Sequence, residues 1–318
     1  TMLHASESSR EIEKLLEARK FSEAEKALKA NITANPQDDS AYFYLGQIPV
    51  LAGKSDRYDE AIGNFEKCVA LKPTASDYHL WLGNAYGVKA RKAGVMAAMG
   101  YVGKIKGAYE KAIELNPRNY EARYNLIQFH LQAPGIVGGS IRKAKEIATE
   151  QIKLSVAEGS VLWAAIHIHE KEFDAAKSQL FGVAKFSSSE MKNHYRGLLF
   201  GTAAGYLNGQ RYSDAKPVVE RYITFFPKDA NGYGFLGRCL YELKEDDAAI
   251  AACEKSISLD KTSGAHYRLG LLYQRKGDNP KAIESLDTFL KLPRSEAEKN
   301  NDKERLTDAQ KKLDELKK

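Results

Sequence analysis

Cysteine is sparse in this chain. Cys68, Cys239 and Cys253 are three in 318 residues, an odd set with no CxxC spacing, which argues against a disulfide framework and against a structural zinc site. All three read as small core residues. Long apolar runs are missing as well. No stretch approaches the roughly 18 consecutive apolar residues that a membrane-spanning helix needs, and the opening TMLHASESSR has no apolar signal core. The chain as it stands reads as soluble. Thr1 precedes Met2, so the native start reads as altered or removed, and the compartment stays open.

Catalytic constellations are also few. HIHEKEF, residues 167 to 173, contains His-Glu but lacks the second histidine of HExxH, and His167 and His169, two apart, point about 200° apart on a helix. Carboxylates are plentiful, yet they fall on faces that read as solvated, and no acid/base pair stands out. QAPGIVGGSIRK, residues 132 to 143, is glycine-rich and runs into basic residues, but it has neither GxxxxGK[ST] after a strand nor GxGxxG opening a βαβ unit. These absences lead to the expectation of no catalytic residues, no cofactor and no metal.

What is present is periodic. The composition, 43% hydrophobic and 28% charged with a net charge of +6, is that of an ordinary folded chain. YFYLGQ (42 to 47), HLWLGNAY (79 to 86), YGFLGRCL (233 to 240) and HYRLGLLY (266 to 273) share one pattern: a bulky residue, Leu-Gly, then an aromatic or a leucine downstream. Each is followed by an alanine-containing stretch, such as DEAIGNFEKCVALKP (59 to 73) or PKAIESLDTFLKLP (280 to 293), whose apolar residues fall at i, i+3, i+4 and i+7.

This arrangement resembles the tetratricopeptide repeat family, whose unit is two antiparallel helices of about 34 residues. With the family's small first-helix position as marker, units align at Ile12, Gly46, Gly83, Ile127, Ala164, Ala203, Gly237 and Gly270. The matching second-helix positions are Ala24, Ala61, Ile105, Ala144, Ala176, Ala215, Ala249 and Ala282. Pro36, Pro73, Pro117 and Pro227 would each end a second helix. The resemblance implies an all-α, right-handed α-solenoid of about eight helix pairs. They form one domain over 5–301, with units beginning near 5, 39, 76, 120, 157, 196, 230 and 263. The tail 302–318 places Leu306, Ala309, Leu313 and Leu316 on one stripe, as a C-terminal capping helix would. APGIVGGS, and WLGNAYG followed by a long insert, also resemble a bacterial, often exported subgroup of the family, which implies an envelope protein and leaves periplasm and cytoplasm both open.

In the family, groove-facing positions lie three and two before the marker and one after it. Here they give Phe43, Tyr44 and Gln47; Leu80, Trp81 and Asn84; Tyr124, Asn125 and Gln128; then, among the later units, Phe235 and Arg238, and Tyr267 and Arg268. Aromatics and amides along a concave wall suit an extended peptide or a protein partner. Trp81 stands in the middle, with Tyr44 and Tyr124 at comparable places on either side. The acidic-tail clamp of the family's chaperone co-factors is not expected. Its positions hold Phe43 and Gln47, then Trp81, then Glu121 and Asn125.

The third unit is the outlier. Between Tyr78 and Tyr109 there is no acidic residue, while Lys89, Arg91, Lys92, Lys104 and Lys106 are all present. Its insert, within 88–106, offers an alternative: docking on an acidic partner or an anionic membrane surface. Nucleic acid is not expected, because the rest of the chain is balanced in charge and carries no known reading motif.

Overall fold

The computed structural model describes residues 7–261 and 264–318. The unit starts expected near 5 and 263 fall on residues outside those described. Among the described residues there is no strand, and the helices follow one another as hairpins. α1 (Glu7–Glu17) is followed by α2 (Phe21–Ala34), α3 (Asp39–Ala52) by α4 (Tyr58–Leu71), α5 (Ser76–Lys92) by α6 (Val95–Leu115), and α7 (Tyr120–Gln132) by α8 (Ile141–Leu154). α9 (Val156–His169) and α10 (Phe173–Phe181) come next, then α11 (Ser189–Asn208) and α12 (Tyr212–Phe225), α13 (Ala230–Glu242) and α14 (Asp246–Leu259), and α15 (Ala265–Arg275) and α16 (Asn279–Lys291). A short α17 (Glu296–Asn301) and α18 (Lys303–Leu316) close the series. Two compact units result, one ending at Leu162 and the other beginning at Trp163. Each is an all-α repeat of the solenoid type.

The small residues explain why the helices of a pair lie so close. A Cβ added at Gly46 would come within 2.9 Å of the Phe65 ring, at Gly83 within 2.6 Å of Tyr109, at Gly237 within 2.6 Å of Cys253, and at Gly270 within 2.6 Å of Leu286. Each of those neighbours stands four residues beyond the small position of the second helix, one turn along the same face. Ala24, Ala61, Ala144, Ala176, Ala215, Ala249 and Ala282 are all fully buried. First and second helices therefore interlock, the large side chain of one seated on the bare backbone of the other.

Helix ends follow from local chemistry. α2, α4, α6 and α12 stop at Ala34, Leu71, Leu115 and Phe225, each two residues before a proline. The residue in between has left the helical region: Asn35 at φ −138° and Asn116 at −140° are extended, and Lys72 at −143° and Phe226 at −132° are also non-helical. Proline's ring disfavours helical backbone just before it. Six joints inside pairs share one turn. Arg19, Gly53, Lys171, Gln210, Lys244 and Gly277 are left-handed, and the next residue's N–H returns to a carbonyl five residues back: Lys20 to Leu15, Lys54 to Pro49, Glu172 to His167, Arg211 to Tyr206, Glu245 to Leu240, and Asp278 to Tyr273. Carbonyls at the end of the first helix are thereby satisfied.

The glycine-rich segment is one of the other joints. α7 ends at Gln132, Gly135–Val137 makes one 3-10 turn, and Ser140 caps α8, its hydroxyl accepting from the Lys143 N–H at 3.3 Å. Of its three glycines only Gly138 is left-handed, at φ 98°. Gly139 is needed for room, since a Cβ there would sit 1.7 Å from the Ala133 carbonyl oxygen. The Ser140 N–H donates to the His130 carbonyl at 3.0 Å, and His130 Nδ1 lies 3.1 Å from the Gly138 carbonyl oxygen. Several of the loop's polar groups are thus engaged within its own joint.

Candidate partner-binding site

First helices carry the expected partner-facing residues, and the two units use them differently. In the first unit the rings lean on one another. Phe43 lies 5.0 Å from Tyr78 and 6.1 Å from both Phe65 and Trp81, and Trp81 lies 5.9 Å from Phe65. Tyr44 donates to Glu13 at 2.7 Å, and burial together with that bond pushes its phenol up. Asn84 Oδ1 accepts from both the Tyr109 hydroxyl and Asn125 Nδ2, each at 2.9 Å, tying α5 to α6 and to α7. Tyr124 is half-buried 6.2 Å from Tyr120, its phenol pushed up to about 12 by burial. Gln128 accepts from Gln132 at 3.0 Å. Gln47 and Leu80 are buried, with 8% and 3% of their surface exposed, and offer almost nothing to a partner.

In the second unit the equivalent residues open onto a cleft of about 880 Å3. Phe235, Arg238, Tyr267 and Arg268 all line it. Phe235 stacks at 4.6 Å on Phe200, which remains exposed. Arg238 donates to the Leu207 carbonyl at 3.3 Å. Arg268 stands 5.0 Å over the Tyr241 ring and 3.6 Å from Glu242, and burial holds its guanidinium below the usual arginine range. Tyr267 packs 5.3 Å from Phe289 and donates to Asp308 at 2.7 Å. The far wall comes from residues that the groove alignment does not reach. Arg294 is sandwiched between the Phe289 ring at 4.4 Å and Asp302 at 3.2 Å, and Arg305 pairs with the same Asp302. One sequence signal for this wall exists: Ser295 and Glu298 form a capping box that starts α17.

The basic insert proves to be helix. It extends α6 to 21 residues beside a 17-residue α5. Its charges are partly spoken for. Lys89 pairs with Asp59 at 2.7 Å and Lys106 with Glu110 at 3.2 Å, while Lys104 rests 5.4 Å over Tyr86 and 5.9 Å over Tyr101. Arg91 and Lys92 stay exposed, as do Met96 and Met99.

The class of protein this geometry defines is a helical repeat protein built from successive helix pairs. Tetratricopeptide repeats are present in it: two family models described as tetratricopeptide repeats match residues 201–266 and 265–295. Human protein O-mannosyl-transferase TMTC3 is 23% identical over 252 residues, 78% of this chain and 22% of that protein. The chain thus spans about a fifth of the length of this relative. The structure of yeast Tom70 superposes with a TM-score of 0.57 at 14% identity, covering 99% of this chain and 65% of its own. A thermophilic tetratricopeptide-repeat protein of Thermus thermophilus covers 61% of this chain and 97% of its own at 19% identity, with a TM-score of 0.48. The shared feature is the fold, which is generally a non-enzymatic protein–protein interaction scaffold.

Proposed function

We propose that this chain is a non-enzymatic scaffold that holds a peptide or protein segment against its first helices, with the cleft of the second unit as the principal contact. The observation that carries this reading is the cleft itself, where Phe235, Arg238, Tyr267 and Arg268 from two successive first helices meet around about 880 Å3 of open space. An aromatic shelf beside guanidinium groups matches what partners use as anchors, since Trp, Tyr and Arg dominate binding hot spots. The cleft is balanced in charge: Glu242, Glu298, Asp302 and Glu304 line it alongside Arg238, Arg268, Arg294 and Arg305. Binding there should depend only weakly on salt.

Peptides selected from a display library against the full chain test the reading. Those that bind the cleft should lose roughly thirtyfold in affinity with Phe235→Ala or Arg268→Ala, or about 2 kcal/mol, each variant being checked by its melting curve. They should be indifferent to the triple change Lys89→Ala, Arg91→Ala, Lys92→Ala. Selected peptides that ignore both cleft variants would sink the proposal.

A second reading, docking through the insert on an anionic surface, draws on one observation. In or within two residues of three successive joints of the first unit an apolar side chain is exposed, Leu51 at 41%, Met96 at 83% and Ile136 at 93%. Binding that collapses as salt rises and is lost in the triple variant would favour it over the cleft.

A further inference from the structure

We propose that the joint between α9 and α10 is a site for a divalent transition-metal ion, with His167, Glu170 and Glu172 as its protein ligands. One donor atom from each of the three lies within 4.8 Å of the other two. Their convergence follows from the turn. His167 and Glu170 stand three apart at the end of α9 and so share a helix face. Lys171 then takes the left-handed conformation, and the Glu172 N–H donates to the His167 carbonyl at 2.8 Å, which brings the Glu172 side chain back over the imidazole.

Five other joints make the same turn and act as internal controls. The residues in the place of His167 are Leu15, Pro49, Tyr206, Leu240 and Tyr273, and in the place of Glu170 they are Ala18, Ala52, Gly209, Leu243 and Lys276. The turn is generic to the repeat; the donor set belongs to this joint alone among the six.

The imidazole is held ready. Its ring stacks on Trp163, one turn back, at 5.4 Å and 28°, and Nδ1 points at Glu172 Oε2, 2.7 Å away. Glu172 has 54% of its side chain exposed, so it has room to swing. Ligand atoms around a tetrahedral ion with bonds of about 2.0–2.2 Å stand roughly 3.3–3.6 Å apart. Closing the site therefore takes a shift of about an ångström or so, confined to an exposed glutamate. Two carboxylates and a neutral imidazole match the charge of a dication. The mixed nitrogen and oxygen set suits zinc, cobalt or nickel better than magnesium or calcium, which favour all-oxygen shells. With three protein ligands, one position is left for water or for a donor from outside.

The test uses the full chain carrying Trp81→Phe, which leaves Trp163 as the sole indole of a chain with two tryptophans. Zinc, titrated in competition with a chromophoric chelator, should bind one ion per chain, and nickel should quench Trp163 emission at the same stoichiometry. His167→Ala, Glu170→Gln and Glu172→Gln should each weaken zinc binding by tenfold or more. His169→Ala, which removes an exposed neighbouring histidine, should change nothing. Apo melting curves show whether a variant is folded, and Glu172→Gln, on the exposed ligand, carries the test if His167→Ala is not. Absence of zinc binding, or an affinity that His169→Ala lowers as much as Glu172→Gln does, would overturn the assignment.

Discussion

Two glycines of one helix pair show how opposite the effect of a single methyl group can be. Replacing glycine by alanine in a helix gains about 1 kcal/mol of propensity. At Gly107, where a Cβ would meet nothing within 4 Å, that gain stands alone, and Gly107→Ala should raise the melting temperature. At Gly83 the added Cβ would lie 2.6 Å from the Tyr109 ring, whose hydroxyl is pinned on Asn84. Overpacking of this kind costs about 1–3 kcal/mol, so Gly83→Ala should lower the melting temperature despite better propensity. A pH-dependent counterpart is His194. Burial pushes its imidazole down from 6.5 to about 4, so between those two values the unfolded chain takes up the proton first. Stability contributed by the neutral ring is complete above the higher value and is lost as the pH falls toward the lower one. A series of melts should show His194→Gln flattening the acid side of the stability profile; a profile with the wild-type slope would refute this.

At the scale of elements, the terminal helix matters most to the cleft. Ala309 and Leu313 of α18 are buried against Leu286 and Phe289 of α16, with Leu306 and Leu316 packed beside them. The same helix supplies Asp308 to Tyr267 and Arg305 to Asp302. Deleting residues 303 to 318 should uncover two large side chains worth about 1.5–3 kcal/mol each, lower the melting temperature and promote aggregation. A truncated chain that melts like the intact one would mean that α16 needs no cover. Much of this was legible beforehand. The stripe Leu306, Ala309, Leu313, Leu316 has helical spacing, and the Leu-Gly and alanine positions mark the pairs because close packing leaves only small residues there. Beyond the Ser295 and Glu298 capping box, the far wall of the cleft was not legible, since Arg294 and Asp302 reach it across a bend that no periodicity encodes. Gln47 and Leu80 illustrate the complementary limit: a repeat position fixes the direction of a side chain, while the neighbours decide whether it is covered.

Across the whole molecule, helices in extensive contact are adjacent or next but one in the chain. Contacts this local give a stability that is close to a sum over neighbouring pairs and a fold of low contact order. Urea unfolding followed by circular dichroism should therefore show either more than one transition or a slope shallower than 318 residues unfolding together would give. A single steep transition with the full slope would show cooperativity that nearest-neighbour packing does not supply.

The shared joint turn also bears on how a chain of this kind can change over generations. Where the 6→1 bond closes a joint, a single inserted codon would break the bond and rotate the second helix by about 100°, carrying its buried alanine away from its partner. The joints after α5 and α7 lack that closure and already differ in length. Insertions and deletions should survive there, so drift in chain length is channelled into the first unit, while the joints within α11 to α16 stay fixed in length and vary only in their side chains.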